Sequence, residues 1–147
     1  MTFMCELVID APRTKVIKLF DNSGNLKKWQ PGLKSFKHLD GKPRQNGAKS
    51  RLLYDMKGRE VEMTETVIKR DLPEMFAATY EAKGVWNQVT NRFFETGSGG
   101  TRWVAEHEFK NTSFISLSAA FRGKTFQKQT TEDMNRFKTY VEGAAVE

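Results

Sequence analysis

A chain with a single cysteine, Cys5, cannot form an internal disulfide. Its stability must come from a packed core, and a reducing cytoplasm is the expected setting. Histidine is nearly as scarce: His38 and His107 stand alone and far apart in sequence, which leaves no Cys/His ligand spacing and no metal site to expect. No apolar run approaches the roughly 18–20 residues of a membrane span. The N-terminal MTFMCELVIDAPR lacks the basic-then-apolar order of a signal peptide and already alternates like a strand. The Gly97-Ser98-Gly99-Gly100 run joins two strand-like stretches rather than opening a helix, so it reads as a hairpin turn and not a phosphate cradle. Nucleophile-elbow and Walker sequences are missing as well, and no cofactor is expected.

What remains is an ordinary globular composition: 147 residues, 38% hydrophobic and 29% charged. That suits one domain, residues 1–147, with a real core. Charge is uneven. Residues 11–51 hold eleven Lys/Arg against Asp21 and Asp40, a local +9 in a chain of net +6. Such a segment is either a solvated basic surface or an attractor of anionic partners. Its cations are spread over helix, loop and strand rather than gathered on one recognition element, which argues against nucleic acid. Nothing decides between a monomer and a homodimer.

The longest regular element is the last. From Phe121 to Ala144, Phe126, Thr130, Met134, Phe137, Val141 and Ala144 recur at spacings of three and four, one stripe of an α-helix. Lys128, Glu132, Asp133, Arg136 and Lys138 are assigned to the opposite, water-facing side. At 1.5 Å per residue this rod is roughly 36 Å long and needs a broad apolar surface to lie against.

The preceding hundred residues supply one. Thr2–Ile9 alternates as a first strand. Asp10-Ala11-Pro12 reads as a capped helix start, with Val16, Leu19 and Phe20 inward, and a second short helix spans Asn25–Trp29. Strands follow over Leu33–Asp40, Ala48–Met56, Arg59–Arg70, Glu74–Lys83, Val85–Thr96 and Thr101–Lys110. A tight Lys57-Gly58 turn fixes one register by pairing Met56 with Arg59. Tyr54 then faces Val61, Leu52 faces Met63, Ser50 faces Glu65 and Ala48 faces Val67. The alternate set is mainly polar, so this one faces inward and takes Glu65 with it. Trp103, Ala105, His107 and Phe109 form the apolar face of the last strand. The strand before it is undecided: either Asn87 and Asn91 or Arg92 faces in.

Ala11-Pro12 before a helix carrying Val16 and Phe20, and Trp29-Gln30-Pro31 closing the helical insertion, are two marks of a known family. Gly47-Ala48, Glu65 ahead of Asp71-Leu72-Pro73, and Gly100-Thr101 are further ones. In these the chain resembles the START-like (SRPBCC) superfamily, which includes polyketide cyclase/dehydrase-like and lipid-transfer proteins. The resemblance implies an α+β helix-grip fold: a seven-stranded curved antiparallel sheet around the C-terminal helix, with two short helices between strands one and two. It also implies a cavity between sheet and helix for a small hydrophobic or amphipathic molecule of lipid or polyketide/aromatic type.

Glu65 and His107 are the titratable groups that the facing assignments bring indoors. A buried carboxyl has a raised pKa and an imidazole titrates near neutrality, so the two are the candidate acid/base residues of a cyclase or dehydratase. The alternative is that Glu65 bonds Ser50 or an internal Arg and His107 is a core residue. Trp29, Tyr54, Met56, Met63, Tyr80, Trp103 and Phe126 are the candidate cavity lining, out of an aromatic and Met set that also holds Phe109 and Phe137. Three functions compete: a ligand-binding protein, a cyclase or dehydratase, and a co-chaperone-like module that uses the basic face on an anionic partner.

Overall fold

In the computed structural model, which describes residues 2–111 and 123–145, seven strands form one antiparallel sheet. They are β1 (Thr2–Ile9), β2 (Leu33–Asp40), β3 (Lys49–Met56), β4 (Arg59–Asp71), β5 (Met75–Ala82), β6 (Val85–Glu95) and β7 (Thr101–Asn111). Their spatial order is β1-β7-β6-β5-β4-β3-β2. Six strands therefore follow one another as a meander, and the first returns to pair with the last. Between β1 and β2 lie α1 (Arg13–Phe20), a single 3-10 turn (Ser23–Asn25) and α2 (Leu26–Trp29). The long helix, α3, spans Gly123–Gly143. The sheet is curved and the arrangement is the helix-grip fold.

Register follows from the turns. Lys57 and Gly58 both take positive φ (56° and 82°), the conformation of a two-residue hairpin turn whose twist matches its strands. Asp55 Oδ1 accepts from the Gly58 N–H at 2.9 Å and braces that turn. Met56 pairs with Arg59, Leu52 with Met63 and Ser50 with Glu65, as the alternation requires. The undecided strand is settled by its neighbours. Asn87 pairs with Tyr80 and Asn91 with Phe76, so both asparagines are on the inner face and Arg92 is not.

Two expectations need correction. Asp10 does not cap α1: the N-cap position is Pro12, without a side-chain bond, and the Asp10 N–H instead donates to Glu142 Oε2 at 2.7 Å. Asp133 is not on a water-facing side. It is half-buried at the edge of the cavity described below, and it pairs with Arg136 at 2.8 Å. The expected first turn of α3, ahead of Gly123, lies outside the described residues, and its end falls one residue early, at Gly143.

α3 packs chiefly on β1 and α2, and its two halves do different things. Met134, Phe137 and Val141 are buried in the main core with Ile9, Val16, Phe20 and Trp103. Phe137 sits between Trp29 and Trp103, each 5.1 Å away in tilted ring contacts. The N-terminal half instead presents Thr125, Phe126, Gln129 and Thr130 to an open space. The solid end of the grip is the C-terminal one. The basic third of the chain is partly neutralised, since Arg13 pairs with Glu95, Lys34 with Glu60 and Arg51 with Glu62.

Candidate functional site

Because α3 fills only one end of the sheet's concave face, a cavity of about 540 Å³ remains at the other. Its floor is the inner face of β3 to β7. Its rim is formed by Gln30-Pro31-Gly32 after α2, by the β3–β4 turn and by α3. The rim pieces are locked together: the Asp55 N–H donates to the Gly32 carbonyl at 2.7 Å. A Cβ on Gly32 would stand 2.9 Å from the Asp55 carbonyl oxygen, so only glycine permits that approach.

Trp29, Tyr54, Met56 and Met63 all line this space, as do Tyr80, Trp103 and Phe126. Trp29 and Trp103 also belong to the main core, where they pack edge-on at 5.8 Å between centroids. Phe109 and Phe137 are outside the lining: Phe109 supports Phe126 from behind, edge-on at 4.9 Å.

Polarity is concentrated in one row across the floor. Glu65, Tyr80 and Asn87 are cross-strand neighbours on β4, β5 and β6, so their backbones are about 4.8 Å apart in succession. Glu65 is 4% exposed. Among the described residues it bonds neither Ser50 nor an arginine; Tyr80 Oη donates to its Oε2 at 2.8 Å. Burial raises its pKa, and the nearby Arg44 charge and the Tyr80 bond pull the other way. Burial and the Glu65 charge also raise both tyrosines, so they are neutral phenols. Tyr54 Oη donates to Gln30 Oε1 at 2.8 Å and ties the floor to the rim.

His107 reaches the cavity from β7, three strands from Glu65 and therefore about 14 Å away along the sheet. Its ring stacks on Phe3 at 4.7 Å and lies edge-on to Phe126 at 5.9 Å. Its Nδ1 is buried without a partner among the described residues. Burial lowers its pKa to about 4, so the imidazole is neutral. Glu65 and His107 face the cavity from different strands and would flank a bound molecule.

Arg44 and Asp133 also line the cavity, at positions that strand alternation does not assign. Arg44, in the β2–β3 loop, takes a positive φ of 66° and lies with its guanidinium 4.4 Å above the Phe76 ring. Its Nε donates to Asp21 Oδ1 at 3.2 Å, and Arg70 shares the same carboxylate at 2.7 Å. Asp133, on α3, has its pKa raised by burial to about 6, against the opposing bonds from Gln129 and Arg136. A loop arginine has no periodicity to betray it, whereas Asp133 adjoins the apolar stripe one residue before Met134. Among the described residues no cluster of three or more His, Cys, Asp or Glu is placed to hold a metal ion, and none of their helices is long and apolar enough to cross a membrane.

Residues 5–142 match the family described as polyketide cyclase / dehydrase and lipid transport. The chain belongs to this family. No curated protein matches it in sequence. Among solved structures, a protein of Thermus thermophilus superposes with a TM-score of 0.80 at 19% identity, over 99% of this chain and 100% of that one. The Zhui aromatase/cyclase of Streptomyces sp. R1128 does so with 0.80 at 15%, over 97% and 93%. Major latex-like protein 151 of Panax ginseng gives 0.77 at 9%, over 95% and 96%. At such identities the likeness is one of fold. The family shares a frame, and the chemistry of each member has to be argued from its own cavity.

Proposed function

We propose that this protein binds a small hydrophobic or amphipathic molecule between the sheet and the N-terminal half of α3. The observation that carries the reading is the unfilled end of the grip. A cavity of about 540 Å³ lies within the size range of small-molecule sites, and mostly apolar walls with few convergent polar groups are their usual make-up. The family's description, which includes lipid transport, and the neighbours' shared fold support it. Native mass spectrometry of freshly purified protein, followed by titration of delipidated protein with neutral aromatic compounds, tests it. Trp29 and Trp103 line the cavity, so binding should quench tryptophan fluorescence saturably. A chain that carries no bound molecule and shows no saturable response to any apolar compound would end the proposal.

One observation favours a second reading, a cyclase- or dehydratase-like enzyme. The Tyr80–Glu65 hydrogen bond puts a phenol and a carboxyl of raised pKa together at the cavity floor, a suitable start for proton transfer beside a carbonyl. In this reading Glu65 moves the proton and Tyr80 positions it, while a neutral His107 contacts the far end of the substrate. Failure to turn over any polyketide-like substrate would dismiss it, and turnover that survives in Glu65→Gln would take the proton transfer away from Glu65.

A further inference from the structure

Hydrogen-bond accounting at the cavity floor says what the ligand must bring. Most of the floor's side-chain donors are directed at protein acceptors. Tyr80 Oη donates to Glu65 Oε2 at 2.8 Å. Trp103 Nε1 donates to Asn91 Oδ1 at 2.9 Å, and Asn91 Nδ2 donates to the Phe76 carbonyl at 3.4 Å. Asn87 Nδ2 donates to the Glu108 carbonyl at 3.2 Å. A carbonyl only accepts, so the Asn87 nitrogen must face it and the amide oxygen is turned the other way. Among the described residues, Glu65 Oε1 and Asn87 Oδ1 receive no hydrogen bond, though both residues are buried and line the cavity. Tyr80 Oη keeps its lone pairs, while the neutral imidazole of His107, off this row on β7, brings one lone pair and one N–H. Along the Glu65–Tyr80–Asn87 row the open acceptors, Glu65 Oε1, Asn87 Oδ1 and the Tyr80 lone pairs, outnumber the one donor left, the second N–H of Asn87.

The charges agree. Arg44 and Arg70 share Asp21, and Glu65 is the other carboxylate within the field of Arg44. Asp21 already answers both guanidiniums, and a ligand carboxylate would set a further acid beside Glu65 in a desolvated place. A buried acceptor left unmet costs about 1–3 kcal/mol, which gives a donating ligand its advantage over an isostere that cannot donate.

We infer that the cavity selects a neutral hydrogen-bond donor, a phenol or alcohol on an apolar body, over a carboxylate or an ether of the same shape. The inference rests on the ligand-binding reading above. The hydroxyl is seated on the Glu65–Tyr80–Asn87 row, and the apolar body lies against Met63, Val89 and Phe126.

Three probes of one shape separate the possibilities: 2-naphthol, 2-methoxynaphthalene and 2-naphthoate, titrated into the full chain near neutral pH by calorimetry or tryptophan quenching. Naphthol should bind at least about tenfold tighter than either of the others. In Glu65→Gln the Tyr80 hydroxyl claims the amide oxygen, so an N–H faces the cavity. The naphthol-to-ether ratio should then fall to within about threefold, a change that a merely structural role would not produce. Should that variant fail to fold, Tyr80→Phe leaves both Glu65 oxygens open and should widen the ratio by at least about twofold. Equal binding of all three probes, tightest binding of naphthoate, or ratios unmoved in the variants would overturn the selectivity and leave ligand binding intact. If none of the three binds, the selectivity is overturned, and the binding reading stands or falls separately on the native mass spectrum.

Discussion

Replacing His107 by glutamine should change how stability depends on pH far more than it changes the fold. The imidazole is 6% exposed and is packed against Phe3 and Phe126 with no carboxylate bonded to it. Burial lowers its pKa from 6.5 to about 4. Between those values the unfolded chain holds a proton that the folded chain refuses, so unfolding becomes easier as acid is added. The stability is fully present above pH 6.5, declines as pH falls toward 4 and levels off below. About 2.5 pKa units at 1.36 kcal/mol each give a loss of about 3 kcal/mol between pH 7 and pH 4. Other groups titrate in the same window with the opposite sign: Glu65 and Asp133 have raised pKa values, so acid protonates them more readily in the folded protein. The total curve therefore says little, and the difference between wild type and His107→Gln isolates the imidazole. Urea denaturation at half-unit pH steps, followed by circular dichroism, should show wild type losing about 3 kcal/mol more than the variant between pH 7 and pH 4. Parallel curves within about 0.5 kcal/mol would refute the buried neutral imidazole.

Phe137→Ala removes a fully buried ring between two tryptophans and should cost about 3–5 kcal/mol in urea denaturation; a loss under about 1 kcal/mol would mean that α3 does not anchor the core there. Asp21→Asn strips the shared partner from Arg44 and Arg70 and should lower stability by about 1–2 kcal/mol, discounted for partial exposure. Burial opposes the low pKa of Asp21, but the two arginine bonds outweigh it. The stabilisation is therefore present above pH 3.8 and lost below it, and the variant should show a flatter acid limb in thermal melts. Gly32→Ala forces a Cβ against the Asp55 carbonyl and should loosen the rim, raising the dissociation rate of a bound aromatic probe in stopped flow by at least about threefold; an unchanged rate would show the rim to be passive.

Strand alternation made much of this legible. Period two and a tight Lys57-Gly58 turn leave one sensible register, and that register alone carries Glu65 indoors. The same logic stalls at β6, where the four-residue Gly97–Gly100 turn allows a slip of one; only pairing with β5 puts Asn87 and Asn91 inside. Arg44 was not legible because its position depends on a left-handed loop residue and on two partners, Asp21 and Phe76, remote in sequence. For Asp133 chemistry misleads where periodicity does not. Its charge assigns it to water, although a helix that walls a hollow exposes a wider arc to the interior than one that packs solidly. The separation of Glu65 from His107 likewise required the strand order, since each residue alone only announces its facing.

The division of α3 explains why polar groups are tolerated inside the grip at all. Met134, Phe137 and Val141 complete a dense core at one end, whereas Thr125, Gln129 and Thr130 leave the other end unfilled. A hollow of about 540 Å³ kept dry would forfeit van der Waals contact along its walls. Filling the space, with water or with a ligand, restores that contact. Water stays where it finds several polar partners, and the Glu65–Tyr80–Asn87 row provides them along a single line of the floor. The acceptors that would hold water in the free protein are then the ones a ligand hydroxyl inherits when it displaces that water. An apolar body without a hydroxyl gains the walls but forfeits those bonds. On this argument the polar row keeps the hollow end compatible with folding, and by the same atoms it sets the chemistry of what can enter.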